Sequence, residues 1–213
     1  MAAELEPAAM LRPVQPYGFR SFAAARRAPH SREILFVAGF AHPPNEDAVV
    51  WLVESVLPLI RSLVHEATLS IAGSNPTARV LGLQRDGVAI VANLSEAELE
   101  RRYQAARVAA VPLRCGAGVK LKVVEALKEG LPLVTTSVGA QGLPGLGAVV
   151  SIRDDREAFA AAVSELLVDD LLWEERCRAQ IDYARKRFGM AQLRESLLAA
   201  AGIEAAVRDS RTG

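Results

Sequence analysis

The chain has 213 residues, 51% hydrophobic and only 5% aromatic, enough for a full core built from Ala, Val and Leu. Lys plus Arg number 25 and Asp plus Glu 25, a formal charge of zero, which excludes the broad nucleic-acid or membrane-surface binding that needs excess basic charge. No apolar run reaches the roughly 18 residues of a membrane span, and Cys115 and Cys177 fit no metal spacing or disulfide framework, so the expected compartment is a reducing cytoplasm.

Residues 1–32 carry an arginine or proline every few positions and no apolar stretch of a secretory signal, and Glu4 and Glu6 speak against a transit peptide. They read as a linker or poorly ordered lead-in. "EILFVAG" (33–39) is a buried strand ending in glycine. The helix that follows is expected to take Asn45 as its N-cap, with Glu46 and Asp47 in the first turn. Its apolar stripe runs from Val49 through Leu52, Val53, Val56 and Leu57 to Ile60, and Pro58 should kink it or begin its last turn. Next come a strand at 68–73, a short helix at 77–84 and a strand at 88–93. Ser95 and Glu98 then form a capping-box start. A strand at 108–113 leads into the helix "VKLKVVEALKEG", closed by Gly130, with further strands at 131–136 and 148–152. From Asp154–Arg156 onward only helices follow, broken near Asp169–Asp170 and Gly189, with 204–213 read as a disordered tail.

Strands alternating with helices imply a Rossmann-like, doubly wound parallel sheet of about six strands with helices on both faces. Ligands bind beyond the carboxyl ends of such strands, which directs attention to "RCGAGVK". Gly116 and Gly118 let backbone N–H groups at a helix start approach a ligand closely, an arrangement suited to anions. Arg114, Lys120 and Lys122 add charge suited to a diphosphate, and Glu125, one helical turn beyond Lys122, can accept hydrogen bonds from a vicinal diol such as a ribose. Each feature has a plainer reading by itself: turn geometry for the glycines, solvated charge for the lysines, helix-dipole pairing for Glu125. Their convergence on one loop describes a nucleotide. A nicotinamide fingerprint is excluded, because "GAGVKL" lacks the third small residue and follows the fourth strand.

"LFVAGFAHPPNEDAVVWL", "PLRCGAGVKLKVVEALKEGLPLVTTSVGAQGL" and the Trp173, Tyr183 and Phe188 that follow resemble the C-terminal half of a GT-B glycosyltransferase. The similarity is to the family-4 group of retaining, nucleotide-sugar-dependent enzymes, and it covers about residues 33–200, with 33–203 as the domain. It implies that Gly116, Gly118, Val119 and Lys120 cradle a diphosphate and that Glu125 holds the ribose. The loop Gly39 to Asn45 would line the donor from the other side, and Ala92–Leu94 would sit near the base. His42 either touches the donor or caps the helix. Two departures stand out: Ala117 replaces the glutamate many members use on the sugar, and "GFAHPPNED" lacks the usual arginine and lysine. Lys120, Lys122 and Arg114 would supply that charge.

The resemblance implies a nucleotide-diphosphate sugar as donor, no metal or other cofactor, and a role in polysaccharide assembly. It names no catalytic residue here. With 32 residues before the first strand, the expected partner is an N-terminal GT-B half on another chain or in a longer parent protein. The chain alone is expected to be inactive; the other readings are a nucleotide-binding module without turnover, or a domain kept for interaction. His30 and His65 read as surface residues, Cys115 as a small residue in the turn, and Trp51 as packing.

Overall fold

The structure is a computed structural model that describes residues 17–201. Half of the expected lead-in (1–16) and the tail at 204–213 lie outside the described residues. Two compact units divide the chain: 22–184 forms one, and the described residues 17–21 and 185–201 belong to the other.

The first unit is a six-stranded, wholly parallel sheet in the order β3-β2-β1-β4-β5-β6. Its strands are β1 (Glu33–Gly39), β2 (Thr68–Ser74), β3 (Val88–Ala92), β4 (Val108–Val111), β5 (Leu133–Thr135) and β6 (Ser151–Ile152). Between them run α1 (Pro43–Trp51), α2 (Leu57–Leu63), α3 (Ala78–Leu81), α4 (Glu96–Ala105) and α5 (Leu121–Lys128), with α6 (Arg156–Val168) and α7 (Asp170–Phe188) after β6. The central strands read as apolar runs because helices cover both faces: Ile34, Phe36, Ile71, Val108, Ala110 and Val134 are fully buried. The chain winds outward from β1 to β3, then returns to lay β4 beside β1. In sheets of this kind ligands bind at that reversal, between the loops that leave β1 and β4.

Local chemistry explains the details. Pro58 has no N–H and its ring would strike the carbonyl four residues back, so α1 widens into a π turn over Leu52–Val56, where the Leu57 N–H donates to Leu52 O. The Ser95–Glu98 capping box forms as the sequence requires, with the Ser95 N–H donating to Glu98 Oε2 at 2.8 Å. Three strands are shorter than the apolar runs suggest: β4 stops at Val111 before Pro112, β5 is confined to Leu133–Thr135, and a 3₁₀ turn at Leu146–Ala148 delays the start of β6 to Ser151.

Arg107, 1% exposed, anchors the far end of the sheet. Its guanidinium donates to Leu166 O at 2.9 Å and Pro29 O at 2.6 Å and pairs with Asp170, while Trp173 Nε1 donates to Arg107 O at 2.6 Å. Residues 22–32, read above as lead-in, are laid on this unit: the Ala23 N–H donates to Lys128 O, and Arg26 donates to Tyr103 O and stacks over the Trp173 ring. In the second unit, α8 (Met190–Ala200) packs with residues 17–19, and the Phe19 N–H donates to Phe188 O at 2.7 Å.

Gly130 closes α5 in the left-handed region, φ +61°, with the Leu131 N–H reaching back to Ala126 O and its own N–H to Leu127 O. A Cβ there would also fall 2.6 Å from Ile181 Cδ1. Gly130→Ala should therefore lower unfolding stability by about 2 kcal/mol or more, measured as a lower midpoint in urea denaturation with an unchanged m-value.

Candidate functional site

Beyond β4 the chain passes Pro112 and Leu113 into the turn at 114–120. Gly116 and Gly118 have φ of +114° and +75°, values that residues bearing a Cβ rarely adopt. Nothing lies within 4 Å of where a Gly118 Cβ would point. Backbone conformation and not crowding therefore demands glycine, and that side of the turn is open. α5 starts at once, with Lys120 as its N-cap and no side-chain cap. The N–H groups of Leu121 and Lys122 have no intrahelical acceptor, so the positive end of the helix dipole meets the turn. Two buried threonines fix this geometry from below. Thr135 Oγ1 donates to Val111 O at 2.8 Å, and Thr136 Oγ1 donates to Leu113 O while accepting the Gly139 N–H. The side chain of Val119 fills the space a Cβ on Gly142 would take.

Asn45 does not cap α1, contrary to the expectation from sequence. His42 occupies the N-cap, exposed and without a side-chain hydrogen bond, and Pro43 and Pro44 fill the first two helical positions, where a missing N–H costs nothing. Asn45 instead ties two loops together: its Nδ2 donates to Gly39 O at 2.6 Å, and its Oδ1 accepts from Lys122 Nζ. The Lys122 ammonium also lies 5.2 Å from the Phe36 ring centroid. Asn45 and Lys122, 77 positions apart in the chain, thus meet beside Gly39 between the loops that leave β1 and β4.

The other cations differ. Lys120 folds over the turn, Nζ donating to Gly118 O at 2.6 Å. Arg114 is held by Asp47 in a two-point pair, Nε to Oδ2 at 2.9 Å and Nη2 to Oδ1, with its guanidinium 5.8 Å from the Trp51 centroid. Its charge is therefore matched, whereas neither lysine makes an ion pair among the described residues. Burial pushes the Lys122 ammonium down to about 8, helped by Lys120 and opposed by Glu125. Burial also lowers Lys120.

Glu125 is half-buried, and the Tyr103 hydroxyl of α4 donates to its Oε2 at 3.4 Å. Burial raises the Glu125 carboxyl, while that hydrogen bond, Lys128 and Lys122 pull it back. At the end of β3, Asn93 sits at φ +56° with its N–H on Gly73 O at 3.0 Å. Sequence reasoning missed Asp47 as partner of Arg114, Tyr103 as partner of Glu125, and the two threonines. A tyrosine on the apolar side of α4 was the one available signal.

The sequence pattern of the family described as Glycosyl transferases group 1 matches residues 31–169. The chain belongs to this family. It is 30% identical over 139 residues to an uncharacterized 44.6 kDa protein in the cps region of Klebsiella pneumoniae, a match covering 62% of this chain and 36% of that one. Its fold is similar to that of S. aureus TarM, in a structure holding UDP, fondaparinux and alpha-GlcNAc-glycerol, with a TM-score of 0.65 at 12% identity over 84% of this chain and 38% of TarM. It is also similar to WaaG, a glycosyltransferase involved in lipopolysaccharide biosynthesis, with a TM-score of 0.60 at 19% identity over 82% of this chain and 47% of WaaG. This glycosyl transferase chain thus spans less than half the length of each, and its sheet unit has the architecture of one Rossmann-like half of a GT-B fold.

The setting of Lys122 is directly measurable. Lysine-selective NMR should find one ammonium titrating near pH 8. Asn45→Asp, by placing a carboxylate against it, should raise that value by about 1 unit or more.

Proposed function

We propose that the sheet unit binds a nucleotide-diphosphate sugar and serves as the donor half of a retaining glycosyltransferase in glycan assembly. The observation that carries this reading is the open Gly116–Gly118 turn at the start of α5, bordered by two lysines that make no ion pair among the described residues. A diphosphate there takes hydrogen bonds from the free N–H groups of the first helical turn and charge from Lys120 and Lys122. Lys122 exchanges the amide oxygen of Asn45 for a phosphate oxygen, so the loop from Gly39 through His42 to Asn45 registers the donor's arrival. Arg114 sits at the outer rim, in an exposed pair with Asp47 whose worth is small, and can turn to the diphosphate. The Glu125 carboxylate accepts the ribose hydroxyls, steadied by Tyr103. Backbone contacts from Ala92–Leu94 face the base.

Transfer separates the sugar from a diphosphate on which negative charge grows. Amide dipoles and lysines already aimed at that group stabilise it as it leaves, with no metal required of the site. The other Rossmann-like half, in a longer polypeptide or a second chain, supplies most of the acceptor site and closes over the donor. A soluble cytoplasmic enzyme with access to nucleotide sugars fits this reading.

Calorimetric titration tests it. Glu125→Ala should weaken nucleoside diphosphate binding by about 1.5–3 kcal/mol, the worth of a charge-assisted hydrogen bond. Lys120→Ala should weaken the diphosphate more than the nucleoside. Unchanged affinity in the first variant places the ribose elsewhere, and equal losses in the second remove Lys120 from the phosphate site.

The affinity should also depend on pH with a definite sign. Lys122 is cationic below about 8 and neutral above it. The dissociation constant for a diphosphate should thus rise above that pH, by up to about tenfold per unit, and stay flat there in Lys122→Met.

A further inference from the structure

A second cleft opens at the opposite end of the sheet. The first residues of β1 and β2, the turn before β3 and the last turn of α4 enclose about 310 Å³, the lower end of the range for small-molecule sites. Its walls include Glu33, Thr68, Ser70, Asp86, Ala89 and Arg102. β2 spans seven residues, so at about 3.3 Å per residue the cleft lies about 20 Å along the sheet from the loops of the proposed donor site.

Two shielded polar atoms there have no hydrogen-bond partner: Ser70 Oγ, in a residue 2% exposed, and Glu33 Oε1. Arg102 Nη1 forms an ion pair with that same Glu33 oxygen at 3.8 Å, too long for a hydrogen bond. Arg85, also at the wall, is engaged with Val53 O at 2.8 Å. Groups of this kind are costly to leave without hydrogen bonds, and here both residues border one cleft.

Their chemistry selects the occupant. An anion would meet the carboxylates of Glu33 and Asp86, and a cation would meet Arg102. A neutral hydroxyl suits both, donating to Glu33 while accepting from Arg102, and the Ser70 hydroxyl can donate or accept as a second hydroxyl requires. Ala89 and the Thr68 methyl offer apolar surface to the C–H face of a ring. We infer that this cleft is a binding site for a single neutral sugar ring, separate from the proposed donor site.

Saturation-transfer NMR on the full chain with glucose, galactose, mannose and N-acetylglucosamine tests this. At least one sugar should show saturable millimolar binding that acetate and guanidinium ions do not displace. Ser70→Ala should weaken it about three- to tenfold while raising the thermal unfolding midpoint, because the variant removes an unpaired buried hydroxyl. Arg102→Gln should weaken it as well, and both variants should bind a nucleoside diphosphate as the parent chain does. No transfer from any sugar at tens of millimolar overturns the site. So does binding that survives both substitutions, which would leave Ser70 as an unpaired core hydroxyl only.

Discussion

Lys122 is held between the loops that leave β1 and β4 by an amide and not by a carboxylate. The Asn45 oxygen accepts its proton without cancelling its charge, and the same side chain is fixed through its nitrogen to Gly39 O. A carboxylate in that position would anchor the lysine more tightly and neutralise it. The amide leaves a desolvated cation that gains strongly from an anionic partner, as its depressed titration reflects. In the proposed reading, the open glycine turn gives that partner a place to sit and the first turn of α5 gives it N–H groups to meet. Remove the uncancelled charge and the turn becomes an ordinary strand-to-helix connection.

The sheet makes this meeting possible. Because β4 returns to lie beside β1, the loops that leave those two strands face one another, and a residue of one can reach a residue of the other. Thr135 and Thr136 bind the β5 end to the backbone of β4, so the turn rests on a fixed floor. At the far end, Arg107 and Trp173 clamp the α6–α7 junction and the segment before β1 onto the same sheet. The strands are packed on both faces, and the proposed chemistry lies at the carboxyl ends of the central two, β1 and β4.

Much of this was legible in the order of residues. Apolar runs ending in glycine or proline marked the strands, and Ser95–Glu98 and Gly130 marked helix ends through rules that act over three or four residues. The glycine turn and its lysines could be read because they are adjacent in the chain. What could not be read were side-chain partners set by tertiary approach: Asn45 with Lys122 are 77 positions apart, Arg114 with Asp47 67, and Arg107 with Asp170 63. Asn45 looked like a helix cap because asparagine favours that role locally, yet the two prolines before it had already started the helix. Residues 22–32 showed no periodicity, since they are held by backbone hydrogen bonds and a stacked guanidinium, neither of which leaves a pattern.

A pyrophosphate seated on the Gly116–Gly118 turn would be visible in backbone amide spectra recorded during a titration with a nucleoside diphosphate. The amides of Gly116, Gly118, Leu121 and Lys122 should move most and saturate together. Saturable binding that leaves those four unmoved, with the shifts gathered elsewhere on the chain, would place the diphosphate away from this turn.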